Sequence, residues 1–116
     1  NLGRTLSRKR QYSQEDFTDE QKAHIQNMIS LVEESLNEMV VVVANSEQQK
    51  TIPSKAYNLE HEINNFRSQL KNQNIQDVNN HLYSYQIGVF YTDLISQCEK
   101  LGDYVLNVIQ ATCGRQ

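Results

Sequence analysis

Three long stripes of apolar residues run along this chain. In the first, Ile25, Met28, Val32, Leu36, Met39 and Val43 recur at spacings of 3, 4, 4, 3 and 4. That is the signature of one buried helix face. Thr18 stands before it as an N-cap, with Asp19 and Glu20 in the first turn and Gln21 at the capping-box position. The run Val40–Val43 favours strand by propensity, but the flanking helical period overrules it. The polar stretch 45–51 ends this helix, and Pro53 suits the first turn of the next.

The second stripe, Ile52, Ala56, Leu59, Ile63, Phe66 and Leu70, is the cleanest heptad in the chain. The third is Ile87, Tyr91, Leu94, Cys98, Leu101, Val105, Val108 and Thr112. The second helix has two candidate ends, Asn72–Asn74 or His81–Ser84. The later break, with Ser84 as cap, yields three helices of matched length that bury their stripes against one another. The predicted fold is all-α: an up-down-up three-helix antiparallel bundle. Its parts are a polar basic linker over 1–17, the bundle over 18–112 and a tail over 113–116.

Composition agrees with a thin core. Of 116 residues, 38% are hydrophobic, below the usual ~45–50%. The longest apolar run, Met39–Ala44, is far short of the ~20 residues that span a bilayer. Charge is uneven: the first ten residues carry Arg4, Arg8, Lys9 and Arg10 and no acid, whereas the rest is acidic. An acidic body is a poor partner for nucleic acid, whose phosphates need clustered cations. The basic tip is a solvated tail or an arm facing a membrane or nucleic acid. The start at Asn1, with neither Met nor an apolar leader, reads as a piece of a longer chain. Cys98 and Cys113, set fifteen residues apart on one helix, lie too far from each other to pair. Cys98 also falls on the apolar stripe and reads as a reduced core thiol.

Enzyme chemistry finds little support. No glycine-rich phosphate loop and no Gly-x-Ser-x-Gly elbow is present. No Glu has a His three residues on, as a di-iron bundle requires. His24, His61 and His81 are scattered and read as boundary or surface residues. None has the cations that phosphoryl transfer to His would need.

One constellation of oxygen donors remains. Glu99, Asp103 and Asn107 lie at i, i+4 and i+8 on the third helix, and Glu60 and Asn64 lie at i and i+4 on the second. Carboxylates so placed repel each other by a few tenths of a kcal/mol, a cost that a hard cation would reverse. Two ordinary solvated faces would show the same pattern. Gly102, between Glu99 and Asp103, costs about 1 kcal/mol inside a helix. It calls for a reason, either close helix approach or space for a bound group. Gly88, near a helix start, is less telling.

These residues carry a resemblance. The segment Cys98-Glu99-Lys100-Leu101-Gly102-Asp103-Tyr104-Val105-Leu106-Asn107-Val108 resembles the third-helix signature of PhoU-like domains. Leu59-Glu60-His61-Glu62-Ile63-Asn64-Asn65-Phe66 resembles their second-helix signature, and Phe90–Ile95 the lead-in to the third. The likeness covers roughly 20–112 and is greatest to the C-terminal domain of bacterial sodium/phosphate cotransporters.

The resemblance implies a non-enzymatic regulatory domain of phosphate transport. It implies a membrane transporter in the same longer chain, a soluble domain on the cytoplasmic face of the inner membrane, and a homo-oligomer. It also implies a metal (iron, zinc, manganese or calcium) held by Glu99 and Asp103, with Asn107, Glu60 and Asn64 at the matching positions. Standalone PhoU proteins have two three-helix repeats and this chain has one, so a cluster that needs both would require a dimer. Lys100 and Tyr104 depart from the usual Arg and His. The alternative reading of the same residues is a structural module for oligomerisation or protein contact, with no ligand.

Overall fold

A computed structural model describes residues 16–48 and 50–113. Three helices follow in order: α1 (Asp19–Ala44), α2 (Ser54–Asn79) and α3 (Tyr85–Thr112). Each packs against the other two, so the expected three-helix bundle is the observed fold. Among the described residues, no helix is long and apolar enough to cross a membrane.

The helix ends follow local chemistry. Thr18 caps α1 with a full capping box: its hydroxyl accepts from the Gln21 N–H, and the Gln21 side chain accepts from the Thr18 N–H. At the other end the Asn45 side chain donates to the Val41 carbonyl at 2.9 Å. Pro53 is the N-cap of α2 rather than a residue of its first turn. Ser84 caps α3 by accepting from the Ile87 N–H.

The end of α2 falls at the later of the two candidate breaks, and the backbone shows why. His81 has φ of 60°. Its N–H bonds the Val78 carbonyl, and the Leu82 N–H bonds the Asp77 carbonyl at 2.9 Å. That pair of bonds is a Schellman stop, whose left-handed position usually holds Gly. A left-handed conformation costs a residue with a Cβ about 1 kcal/mol or more. His81→Gly is therefore expected to raise the free energy of unfolding by about 1 kcal/mol, read from the urea midpoint.

Two apolar clusters form the core. Met28, Val32, Ile63, Leu70, Tyr91, Ile95 and Cys98 fill one. Val42, Ala56, Val105, Ile109 and Cys113 fill the other. Because α1 and α3 both run away from the His24–Tyr91 end, they lie parallel, with α2 antiparallel to both and packed against each.

Four placements differ from the sequence reading. Val43 is exposed and Val42 is buried in its place; Leu101 is exposed, with Gly102 buried beside it. A straight helix drifts about 20° per heptad, so the strict seven-residue stripe of α3 swings off the core at Leu101; the α1 stripe is not a strict heptad, and this drift does not account for Val43. Phe17, placed in the linker, packs on Tyr91 with ring centroids 6.3 Å apart. Cys113, placed in the tail, is buried, and its thiol faces the Thr51 carbonyl. Burial pushes the Cys98 thiol above its ordinary pKa, as befits an inert core cysteine.

Candidate functional site

The five oxygen donors do not converge. Glu99 is half-buried and turns toward α2, where its Oε2 lies 3.2 Å from Nε of Arg67. The contact is one of charge, since the Nε–H is not aimed at the oxygen as a hydrogen bond requires. Asp103 and Asn107 are exposed on α3. Asn64 is half-buried, and its Oδ1 has no hydrogen-bond partner. Glu60 lines a tight space with Ser35, Glu38 and Gly102 that is too small for a water molecule.

Among the described residues, no three His, Cys, Asp or Glu side chains are grouped as a metal site requires. The cation beside Glu99 is a guanidinium, which already offsets its charge. As they stand, these residues do not fit a bound metal.

Gly102 has a packing reason instead. A Cβ there would lie 3.1 Å from Cδ1 of Ile63, so the glycine lets α2 and α3 approach. Gly88 is the more constrained of the two, although its position near a helix start made it look the less informative. A Cβ there would lie 2.8 Å from Cγ2 of Val78 and 3.1 Å from Oδ1 of Asn74.

Beside Gly88 sits a polar network that no period in the sequence flags. The Tyr83 hydroxyl donates to Oδ1 of Asn74 at 2.8 Å. The Gln73 side chain donates to the buried Asp77 carboxylate at 2.9 Å. His24 and Tyr91 share a hydrogen bond at 3.2 Å, and His24 also meets the Phe66 ring edge-on. Burial, aided by the charge of Asp77, pushes the Tyr83 phenol up to about 12. Gln21 Nε2 is buried and has no hydrogen-bond partner among the described residues. Burial raises the Tyr91 phenol as well. Both phenols therefore stay neutral across the physiological range and act as hydrogen-bonding groups. Of these groups His24 bridges the helices, joining α1 to α3 through Tyr91 and to α2 through Phe66.

One concavity among the described residues is apolar. Phe17, Ile25, Ile29, Leu94 and Cys98 line a cavity of about 200 Å³ between α1 and α3. Lys22 stands at its rim, held by Asp16 at 3.0 Å. That contact raises the Lys22 pKa, chiefly through its hydrogen bond to the carboxylate. Its one thiol, Cys98, is buried and held in its neutral form by that burial.

No family model, no curated protein and no solved structure matches the chain.

Proposed function

We propose that this protein is a helical protein-interaction module that works through the face formed by α1 and α3. One observation carries the reading: more apolar side chains lie on that face than the bundle's own core uses. Val40 and Val43 on α1 and Leu101 and Tyr104 on α3 are all 40% or more exposed. Val41 is exposed too, and Val42 faces the core, so the last turn of α1 is apolar all round. A helix segment of that kind is ordinarily buried against something.

A second reading rests on the residues that resemble PhoU-like domains, those of segments 59–66 and 98–108. In it, the module regulates phosphate transport as part of a longer membrane protein. The two readings are compatible, because a regulatory bundle must touch what it regulates. They part over metal.

Thermal melting separates them. With iron, zinc, manganese or calcium added, the melting temperature is expected to match that in chelator, because Glu99 is already paired and Asp103 faces solvent. A metal-induced rise that Glu99→Ala and Asp103→Ala abolish would contradict the ligand-free module and favour the metal-binding regulator.

A further inference from the structure

The turn between α2 and α3 breaks the charge pattern of the rest of the chain. The sequence is 22% charged, yet from Asn72 to Thr92 its one Asp, Glu, Lys or Arg is Asp77. Asp77 is buried and takes a hydrogen bond from Gln73. The exposed side chains of this stretch are apolar, amide, hydroxyl or imidazole groups. Ile75 near the end of α2, Leu82 in the connection, and Tyr85 and Val89 at the start of α3 are 45–75% exposed. The close approach of Gly88 to Val78 and Asn74 sets the last turns of α2 beside the first turns of α3. These four side chains therefore gather at one end of the bundle.

The basic segment joins the bundle at that same end. Phe17, two residues before α1, packs on Tyr91 of α3, about 9 Å along the helix from Tyr85. Arg4, Arg8, Lys9 and Arg10 precede Phe17 in the chain and lie outside the described residues. Arg10 is separated from Asp16 by at most ~20 Å of extended chain. The acids at this end are committed elsewhere. Asp16 is paired with Lys22, and Asp19 and Glu20 sit in the first turn of α1, where they offset the helix dipole.

Exposed apolar side chains beside a cluster of cations are what an anionic bilayer surface binds. We infer that this end of the bundle docks on an anionic membrane surface. Ile75, Leu82, Tyr85 and Val89 enter the headgroup layer, and the cations of the first ten residues meet the lipid anions. Tyr85 suits that depth, since an aromatic ring with a hydroxyl is at home between lipid and water. Size and charge favour a bilayer over a protein as the occupant. The bundle measures 52 × 25 × 21 Å, so its end covers on the order of 500 Å², below the ~800 Å² that each partner gives to a stable protein interface. The turn also offers no exposed carboxylate, ammonium or guanidinium to fix the orientation of a protein partner, and a fluid headgroup layer needs none. This end is separate from Val40, Val43, Leu101 and Tyr104, so either surface can fail without the other.

The test uses the whole chain with vesicles of phosphatidylcholine, alone or with about one-third phosphatidylserine. The chain has no Trp, so Leu82→Trp reports the surroundings of the turn and Val40→Trp those of the far end. The chain is expected to sediment with the phosphatidylserine vesicles at low salt, less so at high salt, and not with phosphatidylcholine alone. Leu82→Trp emission shifts to the blue on binding, and Val40→Trp emission does not. Replacing any one of Arg4, Arg8, Lys9 and Arg10 with Gln weakens binding on the order of fivefold. Leu82→Gln, at an exposed position, keeps its helicity and weakens binding about tenfold. No binding to the anionic vesicles at low salt overturns the inference. So does binding that moves Val40→Trp in place of Leu82→Trp, or that survives Leu82→Gln undiminished. A Leu82→Trp shift that grows with protein concentration in the absence of vesicles marks a protein contact at the turn, and overturns lipid as the occupant.

Discussion

Replacing Ile63 with Ala is expected to remove about 3–5 kcal/mol of stability, the upper part of the range for large-to-small core substitutions. Ile63 is 1% exposed and lies in the central cluster with Met28, Val32, Leu70, Tyr91, Ile95 and Cys98. The cost depends on how far the surroundings can collapse into the void. Here they cannot collapse far, because the facing position on α3 is Gly102, which has no side chain to move in. A domain of this size has about 5–15 kcal/mol in all, so the variant should unfold at a much lower urea midpoint with an unchanged slope. The matched control is Val43→Ala. Val43 is 47% exposed, and its truncation should shift the midpoint little in a dilute monomer.

The second large effect is expected at Gly88. A methyl group there meets Val78 and Asn74 at distances that require one of them to move. Val78 is β-branched and stiff, and Asn74 is committed to Tyr83. Overpacking of this kind costs about 1–3 kcal/mol, against about 1 kcal/mol gained by Ala over Gly inside a helix. Gly88→Ala should therefore destabilise by up to about 2 kcal/mol on balance. Combining it with Val78→Ala should cost less than the sum of the two single changes, since the second removes the obstacle. Gly102→Ala should be close to neutral. Its nearest neighbour is the far end of the Ile63 side chain, which can shift by a few tenths of an ångström.

The contrast between these glycines marks how far the sequence could be read. The caps were legible because a cap is a local event: Thr18 with Gln21, and Ser84 before Ile87, act within four residues. Matched helix length also selected the later end of α2, although the Schellman stop that produces it centres on a histidine and not on glycine. The order of three helices followed from three stripes. Register was less legible. On α3 the period of seven in the sequence diverges from the 3.6 of a straight helix, and Gly102 takes the buried place assigned to Leu101; on α1 Val42 takes the place assigned to Val43.

The site was legible least. Glu99, Asp103 and Asn107 share one helix, and their spacing says nothing about what stands opposite. Arg67 opposes Glu99, and solvent opposes the other two. The Tyr83–Asn74 bond joins α2 to the turn that follows it, and the Asp77 carboxylate is buried against expectation for an acid. Such pairings depend on how three helices meet, which no single-helix period encodes. What the sequence does carry is a surplus of apolar residues, Val40, Val43, Leu101 and Tyr104 among them, and it becomes visible once the core has been assigned.

The central claim is that this bundle acts by contact between helices and without a bound ion. Sedimentation equilibrium of the unmodified chain in chelator, across a wide concentration range, tests it most directly. The expected result is a mass distribution that is the same before and after iron, zinc, manganese or calcium is added. Association that appears only with metal, and is lost in Glu99→Ala or Asp103→Ala, would contradict it.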